Sequence, residues 1–225
     1  MTKCVVFDLD DTLYEFTPCH ASALGRVREA VRKSGLCPDV AKWEEAHANA
    51  FRWQFANHRR DSSCHNRGIR FQRAFEELGL PVGMAAELEA LYWNSMLERM
   101  VPAPGALALL ARLKAAGLRI GVGTNMTAHW QLRKLVKLGI DKYVDFAVTS
   151  EEAGAEKPAP EFFAMVVEKA GVPASQCTFL GDNAEHDARG ARAAGMRGVW
   201  LQPDPEKRAA RPDVESVASL SDFRP

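Results

Sequence analysis

Two hydrophobic patterns recur along the chain. Short runs of apolar and β-branched residues that end in polar residues predict buried strands. These runs lie at residues 3–9, 118–124, 146–149, 177–181 and 198–201. Segments with helical periodicity accompany the last four runs, at residues 105–116, 127–138, 160–170 and 184–194. Alternating strands and helices predict right-handed βαβ crossovers, and therefore a doubly wound, Rossmann-like α/β core with a parallel sheet.

A long helical segment interrupts this alternation after the first strand. Residues 15–100 contain no strand-like run, and their apolar positions follow helical spacing, as at Leu24, Val27 and Val31. The sequence therefore predicts an α/β core of residues 1–14 plus 101–225 and a helical cap of residues 15–100. We expect the cap over the carboxyl ends of the strands, where open α/β sheets bind their ligands.

Composition and charge exclude several classes of protein. Apolar residues make up 47% of the 225 positions and charged residues 26%, which is typical of a folded globular chain. Lys plus Arg and Asp plus Glu both number 29, so no overall field favours nucleic acid or an anionic membrane as a partner. Apolar stretches are too short to span a bilayer, and Asp8 comes before any signal-peptide apolar region, which predicts a cytoplasmic protein.

The five cysteines show no sign of a disulfide framework or a structural zinc site. Their number is odd, and no pair has the spacing of a zinc ligand motif. We expect Cys4 and Cys177, which lie in predicted strands, to be small core residues.

Two acids follow the first predicted strand. Asp8 and Asp10 are two positions apart, so in extended backbone both side chains project from the same side. At about 4 Å, two carboxylates repel by about 4 kcal/mol at an effective dielectric constant near 20. Such a pair either retains a proton or requires a cation, and carboxylate oxygens suit Mg²⁺.

A second acidic pair, Asp182 and Asp187, follows the fourth predicted strand. Acids at this position also serve as helix caps and turn residues, and this structural role is the alternative interpretation of each pair taken alone. Because the carboxyl ends of parallel strands meet at one edge, the two pairs together predict a metal site.

Three further residues lie at strand ends or in the connecting loops. Thr124 and Asn125 end the second strand and offer a hydroxyl and backbone N–H groups to a phosphate oxygen, although both residue types also cap helices. Lys157 precedes Pro158 in a loop that proline stiffens, so its ammonium group is a candidate partner for the acids.

These pieces together resemble the haloacid dehalogenase superfamily of hydrolases that use an aspartate nucleophile. The four matching motifs, in the order of the family, are Phe7-Asp8-Leu9-Asp10-Asp11-Thr12-Leu13, Thr124-Asn125, Lys157-Pro158 and Gly181-Asp182 through Asp187. The helical insert is similar to the family's cap in position. The sequence departs from many relatives at His186, where those carry Asn.

The resemblance implies a phosphatase that acts on a small phosphomonoester. Asp8 would be the nucleophile, and Asp10 would be the general acid and base, held protonated beside its charged neighbour. Thr124, Asn125 and Lys157 would bind the phosphate and stabilise its developing charge.

The resemblance also implies a Mg²⁺ cofactor. Asp8, Asp182 and the backbone carbonyl of Asp10 would be its ligands, and Asp187 would support them without binding the metal.

Two other functions remain as alternatives. A dehalogenase that hydrolyses carbon–halogen bonds belongs to the same superfamily, but its halide leaving group needs no proton from Asp10. A receiver-like module that accepts one phosphoryl group also places acids, Thr and Lys at strand ends, but it has no use for an inserted cap.

Residues 52–73 carry six arginines against one acid, Asp61. One interpretation is a solvated helix face, with the arginines pairing with acids such as Glu76 or Glu77. The other is that one or two arginines, with Arg60 as the first guess, hold a second anionic group of the substrate.

Overall fold

The computed structural model describes residues 1–37, 39–59 and 61–225. The chain forms two compact units, of which the first comprises Met1–Glu15 and Val101–Pro225 and the second Phe16–Met100.

The first unit contains a sheet of six parallel strands. The strands are β1 (Cys4–Phe7), β2 (Arg119–Thr124), β3 (Phe146–Thr149), β4 (Cys177–Gly181), β5 (Arg197–Leu201) and β6 (Ser216–Val217). Their order is β3-β2-β1-β4-β5-β6, so the first strand of the chain lies in the middle. β1 is fully buried, as its uninterrupted apolar sequence requires.

Helices connect these strands. They are α5 (Ala106–Ala115), α6 (Ala128–Leu138), α7 (Ser150–Ala153), α8 (Pro160–Ala170), α9 (Gly190–Ala193) and α10 (Pro205–Ala209). Apolar side chains from α8, such as Phe162 and Phe163, pack with Phe179 of β4 in the core. The predicted α/β fold with a parallel sheet is confirmed.

The register of the sheet brings three strand ends together. Phe7 of β1 pairs with Val122 of β2 on one side and with Leu180 of β4 on the other. Because all three strands are parallel, the residues that follow them lie along one edge of the sheet.

The second unit is helical, with α1 (Phe16–Ser34), α2 (Val40–His58), α3 (Arg67–Glu77) and α4 (Met84–Arg99). A short 3₁₀ turn, Ser62–His65, joins α2 to α3. Asp39 caps α2 through the backbone N–H of Ala41, and Asn66 caps α3 through that of Ile69.

The arginine-rich segment of this unit is only partly a solvated face. Arg67 and Arg70 are buried, so that interpretation is wrong for these two residues. Glu76 and Glu77 instead bind Gln72 and Asn49. Arg60 lies outside the described residues.

The helix predicted at 184–194 is also different in the structure. Residues Ala184–Arg189 form a π-helical turn, and only Gly190–Ala193 continue as α9. All five cysteines are buried free thiols, and Cys4 and Cys177 are core residues as predicted. In the part of the chain that the structure describes, no helix has both the length and the apolar character needed to cross a membrane.

Candidate active site

Asp8 lies directly after β1, where the carboxyl ends of the central strands meet, and its side chain is buried. Its backbone N–H donates to the carbonyl of Leu180 at 2.9 Å, which continues the pairing with β4. Its carboxylate accepts a hydrogen bond from Nζ of Lys157 at 2.7 Å. Asp8 is 6% exposed and Lys157 is 5% exposed, so the ion pair is shielded from water. These contacts fix the orientation of the Asp8 carboxyl group.

Lys157 connects Asp8 to the last acid of the fourth motif. Its ammonium group also donates to Oδ1 of Asp187 at 2.7 Å and to the carbonyl of Gly123 at 3.2 Å. Burial alone would lower the pKa of this amine, but Asp187 and Asp8 outweigh burial and raise it. Lys157 therefore remains a cation between the carboxyl groups of Asp8 and Asp187.

Asp182 and Asp187 are held by the turn that follows β4. The backbone N–H of Asp182 donates to the hydroxyl of Thr12 at 3.1 Å, and Oδ2 of Asp187 accepts from the backbone N–H of Asn183 at 2.9 Å. Gly181 leaves room for Asp187, because a Cβ at residue 181 would lie 2.2 Å from Oδ2 of Asp187. His186 is exposed, and its backbone N–H binds Asn183.

The acids form a donor set that fits a hard divalent cation. One carboxylate oxygen each from Asp8, Asp182 and Asp187 lies within 4.8 Å of the other two. Burial raises the pKa of Asp8 well above its ordinary value despite the attraction of Lys157. Burial and the charge of Asp187 raise the pKa of Asp182 to about 6. These raised pKa values show that the two acids have too little positive charge around them to ionise readily, and closely spaced oxygen donors are what Mg²⁺ binds.

Asp10 has a different environment from Asp8. Its Oδ1 accepts hydrogen bonds from Nζ of Lys134 at 2.7 Å and from the hydroxyl of Tyr14 at 2.5 Å, and its Oδ2 lies 3.4 Å from Nε2 of Gln131. Burial acts to raise the pKa of Asp10, but Lys134 and these hydrogen bonds outweigh it and lower the pKa. The expectation that Asp10 is held protonated is therefore wrong for the site without substrate.

Thr124 and Asn125 lie where β2 ends, and their side chains are hydrogen-bonded to other residues. The hydroxyl of Thr124 accepts from Nε2 of Gln131 at 2.6 Å. The side chain of Asn125 accepts from the backbone N–H of Lys157 at 2.8 Å and donates to Glu156 at 3.1 Å. Asn125 thus braces the loop that carries Lys157, and its role in binding phosphate stays a prediction.

Sequence reasoning missed Gln131 and Lys134. Both are buried and lie three residues apart on α6, so they share one face of the helix. The sequence does contain a signal for this pair. Gln131 and Lys134 lie on a helix face whose other positions are apolar, which indicates that both are buried.

Comparison with known proteins identifies the family. The model of the haloacid dehalogenase-like hydrolase family matches residues 2–195. The chain is 35% identical over 211 residues to ribulose-1,5-bisphosphate 5-phosphatase of Halopiger xanaduensis, covering 93% of this chain and 88% of that protein. It is 30% identical over 227 residues to glyceraldehyde 3-phosphate phosphatase of Methanopyrus kandleri, covering 96% and 93%.

A solved structure agrees with this assignment. The crystal structure of 2-haloacid dehalogenase from Pseudomonas syringae has a TM-score of 0.74 and 27% identity, and the match covers 98% of this chain and 96% of that one. The chain belongs to the haloacid dehalogenase-like hydrolase family, as the four motifs predicted. Within that family, the predicted enzyme class, a phosphatase, is also confirmed.

Proposed function

We propose that the protein is a Mg²⁺-dependent phosphatase that hydrolyses a small phosphorylated metabolite through an aspartyl-phosphate at Asp8. The observation that carries this proposal is the buried Asp8 carboxylate, which lies beside Lys157 in a cluster of acids at the strand ends. The relatives named for ribulose bisphosphate, glyceraldehyde 3-phosphate and phosphoserine support a small metabolite as substrate. In this proposal the helical unit serves as the cap.

The cofactor would be held by Asp8, Asp182 and the backbone carbonyl of Asp10, with Asp187 holding Lys157 in place. When bound, Mg²⁺ supplies positive charge that lets an anionic nucleophile approach an anionic phosphate. Thr124, the backbone N–H of Asn125 and the ammonium group of Lys157 stabilise the oxygens of the transferring phosphoryl group.

Hydrolysis then takes two steps. A carboxylate oxygen of Asp8 forms a bond to phosphorus while the ester P–O bond breaks, and the leaving oxygen takes a proton from Asp10. Asp10, now a carboxylate, removes a proton from water as that water attacks the aspartyl-phosphate. This attack releases inorganic phosphate and restores Asp8.

The charge of Asp10 has a consequence for the first step. Because Lys134 favours the carboxylate form, Asp10 must gain a proton before it can act as an acid. Arrival of an anionic substrate raises the pKa of a nearby carboxyl group, so substrate binding itself favours that proton.

The experiment is a phosphate-release assay with a panel of phosphomonoesters and Mg²⁺. We expect turnover that stops with EDTA and returns with Mg²⁺. Asp8→Asn should lose at least a thousandfold in kcat, because it removes the nucleophile while preserving shape. Asp141→Asn, which changes an exposed acid of the same unit, should keep full activity.

Three outcomes would contradict the proposal. Asp8→Asn turnover within tenfold of the parent would remove the covalent mechanism. Halide release from a 2-haloacid without phosphatase activity would favour the dehalogenase alternative. Incorporation of one phosphoryl group per chain without further turnover would indicate a receiver-like module.

A further inference from the structure

Within the α/β unit, a hydrogen-bond network joins the loop after β2 to the loop that carries Lys157. The carboxylate of Glu156 lies at its centre. Oε2 of Glu156 accepts from Nδ2 of Asn125 at 3.1 Å, and Oε1 accepts from the hydroxyl of Ser150 at 2.9 Å. Asn125 directly follows β2, and Ser150 begins α7. One acidic side chain therefore holds two separate segments of the chain.

The contact with Asn125 determines which way its amide group lies. Oδ1 of Asn125 accepts from the backbone N–H of Lys157 at 2.8 Å. A primary amide has an acceptor on one side and donors on the other. In the reversed orientation, an NH₂ group would face the N–H of Lys157, and an oxygen would face the carboxylate of Glu156. Glu156 therefore fixes, through Asn125, the backbone from which the side chain of Lys157 extends.

The contact with Ser150 extends to the backbone of Met126. Ser150 is fully buried, and its Oγ accepts from the backbone N–H of Met126 at 2.8 Å. The hydroxyl has one proton, and Glu156 at 2.9 Å is a nearer acceptor for it than the carbonyl of Met126 at 3.5 Å. Glu156 thus orients the hydroxyl so that its lone pairs face the N–H of Met126.

Met126 has a backbone conformation that requires such support. Its φ is 136°, in the region that favours glycine, and residues of other types rarely adopt it. A strained backbone of this kind persists only where surrounding contacts hold it. The N–H of Met126 binds Ser150, and its carbonyl accepts from the backbone N–H of Glu151 at 3.4 Å. Met126 directly follows Asn125, whose own N–H contacts the phosphoryl group in the proposed mechanism.

We propose that Glu156 is a positioning residue for phosphoryl transfer. Its carboxylate fixes the side chains of Asn125 and Ser150, and these side chains in turn hold the backbones of Lys157 and Met126. The two loops that supply groups to the phosphoryl oxygens are thereby held together. The proposal rests on the proposed phosphatase function, and Glu156 itself needs no contact with the substrate in this role.

The competing explanation is a partly exposed acid that only adds negative charge to its loop. Reversing the donor and the acceptor distinguishes the two. Asn125→Asp keeps an acceptor for Lys157 but places a second carboxylate oxygen against Glu156, where the parent has a donor. Adding Glu156→Gln supplies a donor for that oxygen and keeps an acceptor for Ser150, and the net charge equals that of the parent.

The experiment measures phosphate release by the full chain with Mg²⁺. We expect Asn125→Asp to lose at least a hundredfold in kcat and Glu156→Ala at least tenfold. Adding Glu156→Gln to Asn125→Asp should restore at least tenfold. Adding Glu156→Ala, which removes the same charge without supplying a donor, should restore less than threefold. Glu168→Gln, at an exposed position on α8, is the matched control and should keep full kcat.

Thermal unfolding of each variant checks that it is folded at the assay temperature. Equal restoration by glutamine and alanine at residue 156 would show that only the charge matters, and it would overturn the proposal. Restoration by neither residue would also overturn it, as would a kcat of Glu156→Ala within threefold of the parent.

Hydrogen exchange measured by NMR provides a readout that does not depend on activity. We expect Glu156→Ala to accelerate exchange of the backbone N–H groups of Lys157 and Met126 at least tenfold, and Glu168→Gln to leave both unchanged. If the parent hydrolyses no phosphomonoester, the proposed function fails, and exchange alone decides whether Glu156 holds the two loops. Unchanged exchange at both N–H groups in Glu156→Ala would overturn the proposal.

Discussion

Asp8 and Asp10 are two residues apart, yet their surroundings act on them in opposite directions. Burial dominates at Asp8 and favours its neutral form until positive charge is supplied. At Asp10 burial also acts to raise the pKa, but the ammonium group of Lys134 and the hydrogen bonds to the carboxylate together outweigh it and lower the pKa. Two carboxyl groups whose environments separate their pKa values in this way can perform different chemical roles.

Lys134→Met should change the pH dependence of phosphate release. Removing the ammonium group takes away the attraction that lowers the pKa of Asp10, so that pKa rises. We expect the limb of the pH–rate profile that Asp10 controls to move to higher pH by at least one unit, or about 1.4 kcal/mol. Steady-state rates over a pH series measure this shift.

Lys137→Met provides the control, because Lys137 lies on the same helix but is exposed. It should leave the profile in place. A Lys134→Met protein with reduced activity at every pH and an unmoved limb would show that Lys134 only supports the structure.

Among the elements, the π-helical turn Ala184–Arg189 packs so closely against Gly181 that no side chain fits at that position. Gly181 ends β4, and the turn brings the carboxylate of Asp187 into the space where a side chain at residue 181 would lie. The π-helical turn therefore places the carboxylate of Asp187 beside β4, where it accepts a hydrogen bond from Lys157.

Gly181→Ala should therefore damage the site. The added methyl group must displace Asp187, and overpacking of this kind costs about 1–3 kcal/mol. We expect a lower melting temperature and at least a tenfold loss of kcat. Gly25→Ala on α1 is the matched control, because a Cβ there meets no atom within 4 Å and alanine favours the helix. Full activity of Gly181→Ala would show that the position of Asp187 is not critical.

The sequence predicts the position of a strand well when the strand has a clear pattern of apolar residues. The predicted strands at 146–149 and 177–181 have the observed bounds, and the other three predicted strands differ from the observed ones by at most two residues at either end. This agreement arises because continuous apolar runs are typical of buried parallel strands. β6 has only two residues and no apolar run, so its pairing with β5 depends on tertiary contacts.

The residues of the candidate site also differ in how readily the sequence predicts them. Residues at strand ends, such as Asp8, Thr124 and Asp182, could be found because the parallel topology places the carboxyl ends of the strands together. Lys134 lies inside a helix, where charged residues usually face solvent, and only its position on the apolar face of α6 indicates that it is buried.

At the scale of the whole molecule, two partly buried histidines link stability to pH. The folded chain holds His47 with a pKa of about 3 and His20 with a pKa of about 4, against an ordinary value of 6.5. Below pH 6.5 the unfolded chain takes up protons that the folded chain does not, so stability is present above that pH and is lost as the pH falls toward 4.

His47→Phe tests this linkage. Each histidine contributes a loss of at most about 2 kcal/mol between pH 6.5 and 5. We expect the decline in the free energy of unfolding over this interval to be smaller in His47→Phe than in the parent, as measured by denaturant titration. His129→Gln, a change at an exposed position, should show the parent's decline. A slope unchanged in His47→Phe would mean that the ring is protonated in the folded chain.

The central position of β1 in the sheet determines when a nascent chain can complete its fold. Cys4–Phe7 are synthesised before both of the strands that they pair with, Arg119–Thr124 and Cys177–Gly181. At roughly 5–20 residues per second, β1 waits roughly 10–30 s for β4, while the whole helical unit is made in between. An apolar strand exposed for that time is a binding site for chaperones. A chain that stops before β4 contains Asp8 but lacks Asp182 and Asp187, so under the proposed mechanism we expect it to have no phosphatase activity.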